Sequence, residues 1–129
     1  MANRFKRKEI LQTICNRIGT ICSNVYPNTR PSATDRMDSF VVVRLPLGVR
    51  PASDIHNYST IQLQCYVRDK KSGVENVSAE EELIDNVLEV MHFSDSLMNC
   101  CHTPVILDSK SDGMGFHSTI IQINATIKI

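Results

Sequence analysis

The sequence has no net charge, no long apolar run and no paired-cysteine motif, and each absence removes a class of function. Fourteen Lys and Arg side chains balance fourteen Asp and Glu over 129 residues. The uniform positive field of a general nucleic-acid binder is therefore missing, and only local patches remain. No apolar stretch approaches the roughly 20 residues that cross a bilayer as a helix, so no membrane association is expected. The start is basic (Arg4, Lys6, Arg7, Lys8), but alternating apolar and polar residues follow it instead of the continuous apolar block of a signal peptide. Export by that route is not expected. The five cysteines, Cys15, Cys22, Cys65, Cys100 and Cys101, are odd in number and form no CxxC pair. They read as reduced thiols of an intracellular protein, without a disulfide framework.

Chemical motifs are missing as well. There is no GxSxG, Walker-type loop, HExxH or dinucleotide fingerprint, and His56, His92, His102 and His117 sit in no motif. Cys100-Cys101-His102 groups metal-ligand types, but three consecutive side chains do not converge readily on one tetrahedral ion, so buried thiols are the better reading. Glu80, Glu81, Glu82 and Asp85 suit the start of a helix, where the backbone dipole favours negative charge without any cation. Asp112-Gly113-Met114-Gly115 lies between two strand candidates and reads as a hairpin turn, not a phosphate loop, because no helix follows it. The tripeptides beginning at Asn57, Asn76 and Asn124 match the glycosylation pattern by chance in a chain that is not exported. The expectation is a protein that is not an enzyme, with no catalytic, cofactor-binding or metal-binding residue.

What is present is an ordinary globular composition, 42% hydrophobic and 22% charged, at a length that suits one domain over residues 1–129. Ile10, Leu11, Ile14, Cys15, Ile18, Ile21, Cys22 and Val25 recur at helical spacing and predict an amphipathic helix within residues 4–25. A loop carrying Pro27 and Pro31 follows, then a β-branched strand over residues 39–45 and a polar connection over 46–59. In residues 60–69, Ile61, Leu63, Cys65 and Val67 alternate with polar residues, which predicts a strand with one core face. Ser78 with Glu81 reads as a capping box opening a second helix, whose buried stripe is Leu83, Ile84, Val87, Leu88 and Met91. A short strand over 103–108, a Gly-rich turn and a long alternating strand over 116–129 close the chain. The expected fold is α+β, in the order αββαββ: a four-stranded antiparallel or mixed sheet with both helices on one face. A common core of Ile14, Ile18, Leu63, Val67, Leu88, Ile121 and Ile123 is expected.

Two surface features stand out. The cations Arg4, Lys6, Arg7 and Lys8 crowd the start of the first helix, where the dipole disfavours them, which suggests an acidic partner surface. The outward residues of the long strand, including Gln122 and Asn124, and those of residues 60–68 are polar but largely uncharged, so packing against another molecule would cost little once their hydrogen bonds are met.

The order of parts resembles the tail terminator and tail completion proteins of long-tailed bacteriophages, the minor tail protein U-like family and its neck relatives. The resemblance is carried by the N-terminal amphipathic helix, VYPNTRPSATDRMD, FVVVRLP, IQLQCYVRDKK, SAEEELIDNVLEVM and the closing HSTIIQINATIKI. It spans nearly the whole chain and contains no invariant chemical motif. It implies a structural virion protein of the tail or neck, assembled in the host bacterial cytoplasm and forming a closed homo-oligomeric ring, typically a hexamer in the family. Tail-tube and neck or connector proteins are the implied partners, with transient contact to DNA. On this reading Arg4, Lys6, Arg7 and Lys8 meet a partner or DNA, and Val49, Arg50, Asp54, His56, Gln122 and Asn124 lie at the subunit interface. The alternative is a small intracellular ligand-binding α+β domain or enzyme.

Overall fold

Ile10, Leu11, Ile14 and Ile18, spaced for one helical face, are all buried and define α1, Arg7–Ile18. The computed structural model describes residues 7–32, 34, 36–45, 49–51, 57–101 and 103–128, with 49–51, 57 and 58 described by backbone alone. The helix gives way at Gly19 to a further turn, in which the Cys22 N–H donates to the Ile18 carbonyl at 2.9 Å. Ile21 and Cys22 still pack on the core. The apolar pattern thus outlasts the helix, because the turn that follows is buried on the same side.

The strands are β1 (Val25–Pro27), β2 (Ser39–Arg44), β3 (Val49–Pro51), β4 (Asn57–Arg68), β5 (Met98–Asn99), β6 (Val105–Ile106), β7 (Lys110–Ser111) and β8 (Phe116–Ile127); α2, Val77–Met91, lies between β4 and β5. They form one sheet in the order β1-β2-β4-β8-β5, with β3 also paired to β4 and both β6 and β7 paired to β8. The pair β1–β2 is parallel and the others are antiparallel. This architecture overturns the expected four-stranded sheet and the αββαββ order: the sheet, mixed as one of the two expected forms, has more strands and curls into a half-barrel with two helices.

The physical reason lies in strand length. β4 and β8 run twelve residues each, long enough for a period-2 pattern, whereas β5, β6 and β7 have two residues each and carry none. β1 is hidden by Pro27. Asn24 O accepts from Val41 N and Asn28 N donates to Val43 O, so the ring nitrogen of Pro27 faces away from β2, where a missing N–H costs no ladder bond. β2 and β3 run in one direction along β4, interrupted by residues 45–48.

The core lies between the helices and one sheet face. Ile14, Ile18, Leu63, Val67, Ile121 and Ile123 are buried together as expected, while Leu88 is only partly buried at the margin and Leu83, Val87 and Met91 supply the stripe of α2. Asn76, not Ser78, caps α2, its Oδ1 accepting from Ala79 N at 3.3 Å. On the other sheet face a smaller cluster joins Phe40, Val42 and Phe116 with Tyr26, Met37 and Tyr66. The proline-bearing loop that links β1 to β2 brings Arg30 onto this cluster.

Candidate assembly surfaces

On β4 the alternation that buries Ile61, Leu63, Cys65 and Val67 turns Thr60, Gln62, Gln64, Tyr66 and Arg68 to the second sheet face. Register with β8 sets Thr60 opposite Asn124, Gln62 opposite Gln122, and Gln64 opposite Ile120. Thr60 Oγ1 donates to Asn124 Oδ1 at 3.2 Å. Arg30 and the aromatic cluster cover one end of this face, with Phe40 stacked on Tyr66 at 4.4 Å between centroids and edge-on to Phe116 at 5.2 Å. Away from that end the β4–β8 part of the face is mainly polar and broken by Ile120, with Asn124 exposed and Gln122 half-buried, and the exposed Arg44 of β2 stands opposite Gln62.

Of the residues expected at the interface, the four that are described fall on neighbouring stretches of backbone. Val49 pairs with Ser59 and Arg50 with Tyr58 through the backbone of β3, while Ser59 and Tyr58 pair in turn with Ala125 and Thr126. Only β4 separates β3 from β8, roughly 10 Å across two strand spacings. By register Arg50 is in line with Thr126, on the face that carries Gln122 and Asn124, whereas Val49 is in line with Ser59 and Ala125, which are buried on the core face. Asp54 and His56 lie outside the described residues, as do Arg4 and Lys6. Arg7 and Lys8 are both exposed on the first turn of α1, and Arg7 Nη2 donates to Asn28 Oδ1 at 3.2 Å.

The two sheet edges differ in chemistry, which was not anticipated. Beside β1, a cleft of about 660 Å³ is lined by Arg7, Lys8, Leu11, Gln12, Cys15, Val25, Pro27 and Asn28. Beside β6, a smaller cleft joins Val77, Ile84, Ile106 and Leu107 to Glu75, Glu80, Glu81 and Asp108. Val105, Ile106 and Leu107 are 54%, 48% and 42% exposed. The available signal was the run of three apolar residues between Pro104 and Asp108, since an alternating strand cannot turn three consecutive side chains into one core.

Polar groups cluster near the acidic edge. His117 Nδ1 lies 2.6 Å from Asp69 Oδ1, and that bond raises the imidazole above its usual value. Ser109 Oγ donates to Glu80 Oε1 at 2.6 Å. Burial pushes the Glu80 carboxyl up, and its hydrogen bond with Glu75 holds the Glu75 carboxyl down. At the turn into β8, Asp112 accepts from Met114 N, Phe116 N and Arg30 Nη1. Burial opposes its charge, but these donors outweigh burial and hold the carboxyl below its ordinary range.

Cys22, Cys65 and Cys100 are buried, Cys15 is half-buried and Cys101 exposed, all as free thiols. Burial pushes Cys65 and Cys100 up to about 12, far from the thiolate range that nucleophiles and metal ligands need. Among the described residues no group of three His, Cys, Asp or Glu side chains is placed to hold a metal ion, and no helix is long and apolar enough to cross a membrane. His102 lies outside the described residues.

No protein-family model matches the chain, and no curated protein matches it. Eighteen solved chains match it in structure. One of them, which carries no functional name, superposes with a TM-score of 0.61 at 11% identity, covering 100% of this chain and 97% of its own. At that identity the likeness shows a shared fold alone.

Proposed function

We propose that this chain is a structural virion assembly protein, a ring-forming tail terminator or head–tail neck component of a long-tailed phage or prophage, resident in the virion tail or neck. It works by association with copies of itself and with tail-tube and connector proteins, not by catalysis. The observation that carries this reading is the second sheet face. Thr60, Gln62, Gln64, Gln122 and Asn124 form an uncharged polar strip with one cation, Arg44, at its border opposite Gln62, and the strip itself desolvates at little cost when a partner meets its hydrogen bonds. The order of parts that resembles the tail terminator family supports the same reading.

A closed ring requires two different patches that meet head to tail. Because Gln122 and Asn124 share one face of β8 and Arg50 is in register with that face, a single neighbour is assigned to these three, the tail-tube or connector protein. The test is the double variant Gln122→Lys with Asn124→Lys, which places two cations on that face. Its association with tail-tube and connector proteins, followed by co-sedimentation, should fall at least tenfold while its melting temperature stays within a few degrees. Unchanged association would remove the face from the account.

A further inference from the structure

β1 and the β5–β6–β7 line are the two ends of the sheet, and their clefts are complementary. At the β1 end, Leu11, Val25 and Pro27 give an apolar floor with Arg7 and Lys8 at its rim. At the β6 end, Val77, Ile106 and Leu107 are exposed apolar side chains bordered by Glu81 and Asp108, which are exposed too. A protein with zero net charge therefore carries a cationic apolar hollow at one edge and an anionic apolar ridge at the other. We propose that the occupant of the first is the second on another copy of this chain: Val105, Ile106 and Leu107 seat in the α1–β1 cleft, with Glu81 and Asp108 facing Arg7 and Lys8.

The contact is heterologous, since one patch meets a different one, and this is the type that closes into a ring when the rotation allows. It runs through side chains instead of extending the sheet. Pro27 presents no N–H on the outer edge of β1, and the opposite edge is cut into two-residue pieces around Pro104. Burial of three exposed aliphatic side chains supplies the apolar gain. The opposed charges set orientation and exclude the reversed contact of like edges.

This inference rests on the ring reading above, and charge exchange separates the two. One variant carries Arg7→Glu and Lys8→Glu, the other Glu81→Lys and Asp108→Lys; all four positions are exposed, so both should fold. Each variant alone should run as a protomer under conditions where the intact chain is oligomeric, because each then has two edges of one sign. Mixed in equal amounts, the two should regain an oligomer in which they alternate, and salt should weaken it. The double variant Val105→Ser with Ile106→Ser should lose the oligomer without changing charge. If the intact chain is oligomeric and the reversals leave it so, or if the mixture fails to recover, the edge contact is wrong and the ring reading stands. If the reversals at Arg7 and Lys8 spare self-association and instead lower affinity for duplex DNA, those cations serve DNA and the edge contact is likewise wrong. A monomeric intact chain that also ignores tail-tube and connector proteins overturns the ring reading itself.

Discussion

Arg30 illustrates what single side chains do here. Its guanidinium carbon lies 5.4, 5.1 and 5.6 Å from the ring centroids of Phe40, Tyr66 and Phe116, and its Nη1 bonds Asp112. It ties the β1–β2 loop to the turn before β8, where Gly113 and Gly115 take φ of +73° and +89°. Arg30→Ala removes the cation from the rings and leaves Asp112 one donor short, which should cost about 1–3 kcal/mol in denaturant unfolding. The sign of the pH dependence follows from the pKa directions. Asp112 is held below its ordinary range, so its stabilisation is present above the unfolded carboxyl pKa and is lost as pH falls through the lowered folded value. His117 is raised above 6.5, so its contribution is full below the unfolded pKa and disappears as pH rises through the raised folded value. Asp69→Asn should bring the His117 pKa down toward 6.5, read from its imidazole proton shifts; an unmoved titration would refute the pairing. None of this was legible in the sequence, because Asp69 and His117 stand 48 residues apart, and Arg30 and Asp112 stand 82 apart.

At the scale of elements, legibility followed length. In β4 and β8, Ile61, Leu63, Cys65, Val67, Thr119, Ile121, Ile123, Ala125 and Ile127 all fall on the buried face that alternation predicts. The helical stripes were also legible to within a turn, although Ile84 and Leu88 of the expected α2 stripe are only partly buried beside Leu83, Val87 and Met91. What remained hidden was the pairing of the short strands, which depends on neighbours distant in sequence: β1 beside β2 through a crossing loop, and β5, β6 and β7 along the far edge of β8. The consequence for stability is specific. Ile14 is fully buried between α1 and the sheet, so Ile14→Ala should cost about 2–5 kcal/mol, whereas Leu88→Ala at the margin should cost distinctly less. Equal losses in chemical denaturation would contradict this division of the core.

For the whole molecule, the thiols and the surfaces give separate tests. Cys65 and Cys100 are buried and held protonated, so the melting temperature should not respond to reductant or to a zinc chelator. Chelator-induced unfolding would restore Cys100, Cys101 and His102 as ligands. Of the candidate assembly surfaces, the basic start, of which Arg7 and Lys8 are described, and the polar strand face are proposals made from residue types alone. The complementary edges are not, because edge strands become visible only when the sheet order is known. The role assigned to these surfaces, self-association into a ring at the tail or neck, is tested most directly by the mass of the intact chain under native conditions, with negative-stain imaging of the same sample. The account predicts a closed oligomer of one stoichiometry, visible as a ring, formed by the chain alone or on addition of tail-tube or connector protein. A chain that remains monomeric at high concentration and associates with neither would contradict it, and a ligand-binding role, read from substrate-dependent stabilisation, would take its place.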